Sequence, residues 1–282
     1  MSSIKDRQRA AARARLEKEM AERAEAARKR RQRQAVIGSA IAVVVAAGLV
    51  FWLVTSLDKD DDKTDASAAG TPAGTVACTW TPEDASAGGK IKDVGTPGPN
   101  APNTGKDTLT LNTNLGDITA TVDKAKTPCT AAAFEYLASK KFWDNTKCHR
   151  MTTEGIKVLQ CGDPSATGKG YRDTDGSGGP SFRYAEENLP TAADPANPTA
   201  AAYPRGTIAM AKTQAPGSTG SQFFIVYGDT QLDPSYTVLG TVDKGMDIVD
   251  KVAKGGVDDK NGPGDGHPKI EVNIKTLTMA AA

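Results

Sequence analysis

The sequence predicts a mainly β domain, a closed antiparallel barrel with two helices, preceded by a single transmembrane helix. Two observations support this fold class. Short strand-like segments bounded by Gly, Pro, Asp or Ser recur between residues 108 and 277, with only two helical segments among them. An uncharged stretch of 23 residues, 35–57, lies before them. Most of the packing core of this 282-residue chain is therefore expected after about residue 105.

Residues 1–34 are expected to form a basic cytoplasmic arm. They hold twelve Lys/Arg against five Asp/Glu, a local charge of +7 in a chain whose net charge is +1. The composition favours a solvated helix or a disordered arm, because there is little apolar surface to bury. No aromatic residue interrupts the run for base stacking, so we expect a charged membrane flank and no nucleic-acid partner.

The uncharged stretch 35–57 is long enough to span a bilayer, at about 1.5 Å per helical residue against a hydrocarbon core of about 30 Å. Phe51 and Trp52 suit the interfacial aromatic belt. The alternative, a cleaved signal peptide, has a shorter apolar region of roughly 7–15 residues, nearer the N-terminus. The basic flank then predicts a single-pass protein of the cell membrane, with its C-terminal domain extracytoplasmic and the lipid bilayer as a partner.

Residues 58–105 have the composition of a flexible linker, acidic at first and then rich in Ala, Gly, Thr, Pro and Ser. The carboxylates of residues 58–65 lack calcium-loop spacing, so we expect no metal there. Cys78 and Trp80 are the exception in this stretch, and we expect them to attach to the folded domain.

The predicted domain, residues 106–280, contains elements of both kinds. Its ordered segments are, in sequence, a hairpin of 108–114 with 118–122, a helix from 127 to 138, a hairpin at 148–163, strands at 206–211, 222–227 and 237–242, a helix at 246–252 and a strand at 269–277. The segment 164–204 is rich in Gly, Pro and Asp. A long irregular segment in a compact domain usually carries function or insertions.

The hairpin at 148–163 brings two polar side chains together. If residues 148–152 pair with residues 156–160 around a Thr-Glu-Gly turn, Arg150 and Gln160 share one face and His149 lies on the other, because strand side chains alternate. A fixed cation and an amide could then meet one substrate carbonyl. A hydrolase with a histidine base would have to use His149 or His267, and we expect His149 to be structural and His267 solvated.

The motifs Cys148-His149-Arg150, Gln160-Cys161-Gly162-Asp163, Gly206-Thr-Ile-Ala-Met-Ala211 and Gly220-Ser-Gln-Phe-Phe-Ile225 together resemble the cyclophilin family of peptidyl-prolyl isomerases. The resemblance covers residues 106–280, and the N-terminal arm, span and linker resemble those of bacterial membrane-anchored members. It implies an eight-stranded barrel capped by two helices, with the substrate groove on its outside. The implied catalytic residues are Arg150 and Gln160. The implied substrate-binding residues are Met210, Ala211, Lys212, Gln222, Phe224, Leu232 and Tyr236.

The sequence departs from the family pattern near the implied pocket. Tyr236 stands where a histidine is expected, Gln231 replaces a tryptophan found in many members, and Ile156 and Lys157 stand where a bulky aromatic is common. These changes bear on substrate preference and inhibitor sensitivity. A binding module that recognises proline-containing segments with little turnover is therefore the alternative to an isomerase.

The implied reaction makes and breaks no covalent bond. An amide rotates slowly because resonance gives its C–N bond double-bond character, and a catalyst need only favour the twisted state. Arg150 can donate to the carbonyl oxygen or to the freed nitrogen lone pair. No cofactor, metal or proton shuttle is required. The expected substrates are X–Pro bonds of exported or cell-envelope proteins.

Four cysteines, at 78, 129, 148 and 161, allow three disulfide pairings. We favour Cys148 with Cys161, which flank the hairpin, and Cys78 with Cys129 at the first helix. Free thiols and other pairings remain open. A metal site is disfavoured because no CxxC spacing is present.

Overall fold

A computed structural model of the protein describes residues 72–83, 90–192 and 199–282. The predicted basic arm, the transmembrane stretch 35–57 and the first part of the predicted linker lie outside these ranges. Within them, no helix is long and apolar enough to cross a membrane.

The described residues form two helices and eighteen strands. Helix α1 is Pro128–Ser139 and helix α2 is Met246–Gly255. The strands are β1 (Thr75–Ala77), β2 (Thr81–Pro82), β3 (Lys90–Lys92), β4 (Asn100–Pro102), β5 (Lys106–Thr113), β6 (Gly116–Asp123), β7 (Thr146–Lys147), β8 (Arg150–Thr152), β9 (Val158–Cys161), β10 (Gly178–Pro180), β11 (Phe182–Arg183), β12 (Ala201–Tyr203), β13 (Thr207–Met210), β14 (Phe223–Val226), β15 (Thr230–Leu232), β16 (Val238–Lys244), β17 (Asp265–Gly266) and β18 (Asn273–Ala281).

Ten of the described strands form one curled, open sheet in the order β17-β8-β9-β14-β13-β16-β6-β5-β18-β7. The mainly β fold with two helices is confirmed, but the closed eight-stranded barrel is wrong. Among the described strands, the order ends with β17 on one side and β7 on the other, and no pairing joins these two ends. The chain passes from β7 to β8 through Cys148, whose N–H donates to Val272 O, and His149, whose N–H donates to Gln160 O.

The core lies inside the curl of this sheet. Alternation along β5 and β6 turns Leu109, Leu111 and Ile118 inward, and all three are buried. Helix α1 closes one end with Phe134, whose ring lies 4.9 Å from that of Trp143. Burial of such apolar surface is the main favourable contribution to folding.

Helix α1 begins as predicted, with Thr127 as N-cap residue and Pro128 in the first turn. The Thr127 side chain makes no capping hydrogen bond. The carboxylate of Glu187 accepts instead from the backbone N–H groups of Cys129 (3.0 Å) and Thr130 (2.8 Å). A carboxylate at this position satisfies free amides and complements the positive end of the helix dipole.

Part of the predicted linker is folded onto the domain. Strand β1 pairs with β4, β2 with β11, and β3 runs parallel to β10. The ring of Trp80 lies 5.3 Å from that of Phe182 and 5.6 Å from that of Tyr184. Attachment through Cys78 and Trp80 is thus confirmed, and ordered structure begins well before residue 106.

Candidate active site

The predicted hairpin that carries Arg150 and Gln160 is present, and the two side chains lie on one face as predicted. Strands β8 and β9 are antiparallel and place Arg150 directly opposite Gln160. The paired arms are shorter than predicted, because the turn runs from residue 153 to 157. Thr152 Oγ1 braces this turn by donating to Ile156 O at 2.7 Å and accepting from the N–H of Val158 at 3.2 Å.

A carboxylate that the sequence did not reveal holds Arg150. Asp265 accepts from Arg150 Nε at 2.8 Å and from Nη2 at 2.6 Å. The hydrogen bond from Arg150 lowers the pKa of Asp265 below its ordinary value of 3.8, and the same bond raises the pKa of Arg150 above its ordinary value. Asp265 stands in a Gly-Pro-Gly-Asp-Gly loop sequence. No signal marked it, because its role depends on β17 pairing with β8.

A chain of amides continues from the guanidinium. Arg150 Nη1 donates to Gln160 Oε1 at 3.3 Å, and Gln160 Nε2 donates to Gln222 Oε1 at 3.0 Å. Gln222 Nε2 in turn donates to the carbonyl oxygens of Gly176 and Gly178, both at 2.8 Å. This chain fixes both amide orientations, so the oxygen of Gln160 faces Arg150.

Gly162 allows the two glutamine strands to approach. Its φ is +98°, and a Cβ there would clash with the carbonyl oxygen of Ser221 and lie 2.8 Å from Gln222 Cα. Only glycine meets both conditions without strain. The glycine of the Gln-Cys-Gly-Asp motif is therefore required for packing, and the same motif supplies Gln160.

A cavity of about 180 Å³, the main cavity, opens beside the guanidinium. Its lining residues are Arg150, Ile156, Val158, Gln160, Ala211, Lys212, Phe224, Leu232 and Tyr236. Seven of these were predicted as site residues, and Ile156 and Val158 add apolar surface from the hairpin. The Phe224 and Tyr236 rings meet edge to face at 5.6 Å, and Tyr203 supports both from behind. The cavity thus joins an apolar wall to two cations, Arg150 and Lys212, and one amide.

Two predicted site residues are placed elsewhere. Met210 is fully buried in the core cluster and does not line the main cavity, because its side chain lies on the inner face of the sheet. Gln222 lines a neighbouring cavity and reaches the main one only through Gln160. The predicted position of Met210 in the pocket is corrected on this geometry.

The neighbouring cavity, the side cavity, measures about 260 Å³. Its lining residues are Gln160, Gly176, Ser177, Gly178, Arg183, Ala211, Lys212, Thr213, Ser218 and Gln222. It shares Gln160, Ala211 and Lys212 with the main cavity. A ligand in extended conformation could therefore occupy both.

The sequence model of the family described as cyclophilin type peptidyl-prolyl cis-trans isomerase/CLD matches residues 108–279. The chain belongs to the cyclophilin family. The match covers both helices, every residue that lines the two cavities, and the curled sheet apart from the outer ends of β5 and β18.

Several proteins are similar to this cyclophilin. The "Probable peptidyl-prolyl cis-trans isomerase B" of Mycobacterium leprae (strain TN) is 44% identical over 175 residues, 60% of this chain and 55% of the relative, so the chain spans about half the length of that relative. The human "Peptidyl-prolyl cis-trans isomerase-like 3" is 32% identical, over 61% of this chain and 96% of its own. A Cryptosporidium parvum cyclophilin type isomerase, solved in the presence of the dipeptide Ala-Pro, is 24% identical, covering 62% of this chain and 99% of its own with a TM-score of 0.45.

Both disulfides of this cyclophilin have the favoured pairing. Cys148 is bonded to Cys161, and Cys78 to Cys129. The first bond joins the two hairpin arms immediately beside Arg150 and Gln160. The second attaches the segment before residue 106 to helix α1.

His149 is buried, as predicted, with its ring against Gly176. Neither ring nitrogen has a hydrogen-bond partner in the described part of the chain. Burial lowers the pKa of His149 from 6.5 to about 4, more than the opposing charge of Asp163 raises it. The imidazole is therefore neutral at neutral pH.

Proposed function

We propose that the protein is a peptidyl-prolyl cis-trans isomerase that accelerates rotation of X–Pro bonds through the main cavity. The observation that carries this proposal is the position of Arg150, a guanidinium held by Asp265 at the rim of an apolar cavity. Family membership and the names of the relatives support the same reaction.

Arg150 has donors left for a substrate. A guanidinium carries five N–H groups. Asp265 accepts one from Nε and one from Nη2, and Gln160 accepts one from Nη1. One N–H on Nη1 and one on Nη2 remain. In the twisted amide the prolyl nitrogen regains its lone pair, and a charged N–H directed at that lone pair or at the carbonyl oxygen favours the twisted state.

In this proposal the walls of the main cavity hold the proline ring in place. The proline ring packs against Phe224, Leu232 and Tyr236, with Ala211 and Lys212 along the peptide edge, so the acyl side rotates while the ring stays fixed. Exclusion of water strengthens the Arg150 hydrogen bond. The uncatalysed rotation has a barrier of about 18–20 kcal/mol. Each ~1.4 kcal/mol by which the enzyme lowers this barrier makes the rotation tenfold faster.

Prolyl isomerisation by the full chain, purified in detergent, tests the proposal. We expect a clear rate above the uncatalysed one, and Arg150→Ala to remove most of it. Arg205→Ala is the matched control, because Arg205 makes a comparable ion pair with Asp250 and lines neither cavity. Peptide binding without acceleration would favour the binding-module alternative. Equal rates for Arg150→Ala and wild type would refute the assigned role of Arg150.

We also propose that the protein is anchored in the cell membrane by residues 35–57 and assists folding of exported or envelope proteins. The uncharged stretch, its basic flank and the two disulfides support this, since disulfides persist outside the cytoplasm. Protease added to intact cells should remove the C-terminal domain while a cytoplasmic marker stays intact. Protection of that domain would contradict the orientation.

A further inference from the structure

We propose that the side cavity binds a carboxylate, so that preferred substrates carry Asp or Glu one to three residues from the isomerised proline. This inference rests on the proposed isomerase function and adds a substrate class to it. Two of the residues that line the side cavity, Arg183 and Lys212, are cationic, and none of its lining residues is acidic.

Arg183 presents unused donors to this cavity. Its Nε donates to Glu83, a residue of the folded N-terminal segment that β2 brings to β11. Nη1 and Nη2 make no hydrogen bond to the described residues, and the guanidinium lies against Gly179 and Gly220. Glu83 thus engages only the Nε side of the guanidinium, which leaves the Nη1 and Nη2 N–H groups of a side chain that lines the side cavity as donors for a carboxylate.

Lys212 also lacks a hydrogen-bond acceptor among the described residues. Its Nζ forms a salt bridge with Glu186 Oε1 at 3.8 Å, a distance too long for a hydrogen bond. The Glu186 carboxylate is occupied by the N–H groups of Gly217 at 3.0 Å and Ser218 at 3.3 Å. The side chain of Lys212 is only 8% exposed and lines both cavities. Its ammonium therefore stands on the path that a peptide takes from one cavity to the other.

The adjacency of the two cavities limits how far along the peptide the acidic residue can lie from the proline. Their shared wall of Gln160, Ala211 and Lys212 makes them adjacent. An extended peptide advances about 3.3 Å per residue, so a side chain one to three positions from the proline reaches the side cavity. A volume of about 260 Å³ accommodates an Asp or Glu side chain.

The experiment compares peptide pairs that differ by Glu and its neutral isostere Gln, placed at each of three positions before and after the proline. The quantity measured with the full chain is the ratio of kcat/KM for the Glu peptide to that for the Gln peptide. We expect a ratio of about five at one position, the size of a partly exposed ion pair, and a smaller ratio in high salt. Arg183→Gln should bring the ratio close to one.

Two further variants serve as controls. Arg205→Gln removes an arginine remote from both cavities and should keep the wild-type ratio. Glu83→Gln leaves both cavity cations in place and should not lower the kcat/KM ratio of the Glu peptide to the Gln peptide. If Arg183→Gln fails to fold, as judged by circular dichroism, Lys212→Gln provides the same test of the ratio.

A folded wild type that isomerises the peptides with no Glu preference at any position would overturn the inference and leave the isomerase function standing. Persistence of the preference in both Arg183→Gln and Lys212→Gln would overturn it too. If no peptide were isomerised, the isomerase function would fail, and the ratio of Kd values from calorimetry would test the carboxylate site separately.

Discussion

Arg150 and Asp265 form a two-point ion pair across 115 positions of the chain, with Nε to Oδ1 at 2.8 Å and Nη2 to Oδ2 at 2.6 Å. The pairing of β17 with β8 brings them together. Because the carboxylate holds Nε and Nη2, the guanidinium plane is fixed, and the remaining N–H groups point in a defined direction. Asp265 is in this sense a positioning residue for the proposed catalytic arginine.

Asp265→Asn should lower kcat/KM by about tenfold, corresponding to ~1.4 kcal/mol, because an amide offers one acceptor where the carboxylate offers a charged pair. The loss should fall mainly on kcat, since the apolar wall that binds proline is untouched. Asp265→Glu should restore part of the rate. The control is Asp250→Asn, which breaks the Arg205 pair outside the site. Wild-type kinetics for Asp265→Asn would remove the positioning role.

The pH dependence of catalysis follows from the same pair. Hydrogen bonding to Arg150 lowers the pKa of Asp265 below 3.8, and hydrogen bonding to Asp265 raises the pKa of Arg150 above its ordinary value. The pair stays charged as pH falls until the lowered pKa of Asp265 is reached, and stays charged well above neutral pH. We therefore expect kcat/KM to be flat between about pH 5 and 8. A bell-shaped profile in that window would show that a proton transfer takes part in the reaction.

The two disulfides should differ in what they stabilise. The loops they close span 13 residues for Cys148–Cys161 and 51 for Cys78–Cys129. Loop entropy predicts losses of about 3 and about 4 kcal/mol in the free energy of unfolding when each is replaced by two alanines.

Activity separates them, because only Cys148–Cys161 is adjacent to Arg150 and Gln160. Its removal should also lower kcat/KM, by about tenfold if the two side chains lose their alignment. Removal of Cys78–Cys129 should leave kcat/KM on a peptide without acidic residues unchanged. Denaturant unfolding and initial rates measure the two effects, and equal activity losses would contradict the assignment.

The correct predictions made from the residues themselves rest mostly on local sequence patterns. The Arg150–Gln160 hairpin and the Cys148–Cys161 pairing depend on neighbours within about fifteen residues, so alternation and turn chemistry pointed to both. The proposed site residues Phe224, Leu232 and Tyr236 came from the family resemblance, and the structure brings them together around the main cavity.

Long-range pairing is where the sequence was insufficient. Asp265 reaches Arg150 only because β17 pairs with β8. Strand β17 has just two residues, too few for a sequence pattern to predict it. The segment before residue 106 has linker composition, yet it is folded because β10 and β11 supply partner strands and Cys78 a covalent attachment. Barrel closure likewise depends on which strands lie at the two ends of the sheet, and that is set by long-range pairing.

Phe223 and Phe224 lie on opposite faces of β14 and should respond differently to the same change. Phe224 lines the main cavity, whereas Phe223 packs in the core 5.9 Å from the Phe134 ring. Phe224→Leu should lower kcat/KM about fivefold, equivalent to ~1 kcal/mol of lost apolar contact with proline, and should also cost about 1 kcal/mol of stability because Phe224 is only 6% exposed. Phe223→Leu should cost about 1 kcal/mol of stability and keep kcat/KM. The reverse pattern would mean that the proline ring does not contact Phe224.

His149 predicts a loss of stability in mild acid. In the unfolded chain its pKa is near 6.5, and in the folded protein burial lowers it to about 4. Below pH 6.5 the unfolded state therefore binds a proton that the folded state does not, and the free energy of unfolding falls until the pH reaches about 4. The expected loss is about 2 kcal/mol between pH 8 and pH 5, at ~1.4 kcal/mol per pH unit of linkage.

Urea unfolding at both pH values measures this loss. His149→Gln removes the titrating ring, so its stability should depend on pH about 2 kcal/mol less than that of wild type over the same range. The carboxylates are the same in both proteins, so their contributions largely cancel in the comparison. Identical pH dependence in His149→Gln and wild type would mean that the buried ring takes up its proton without unfolding.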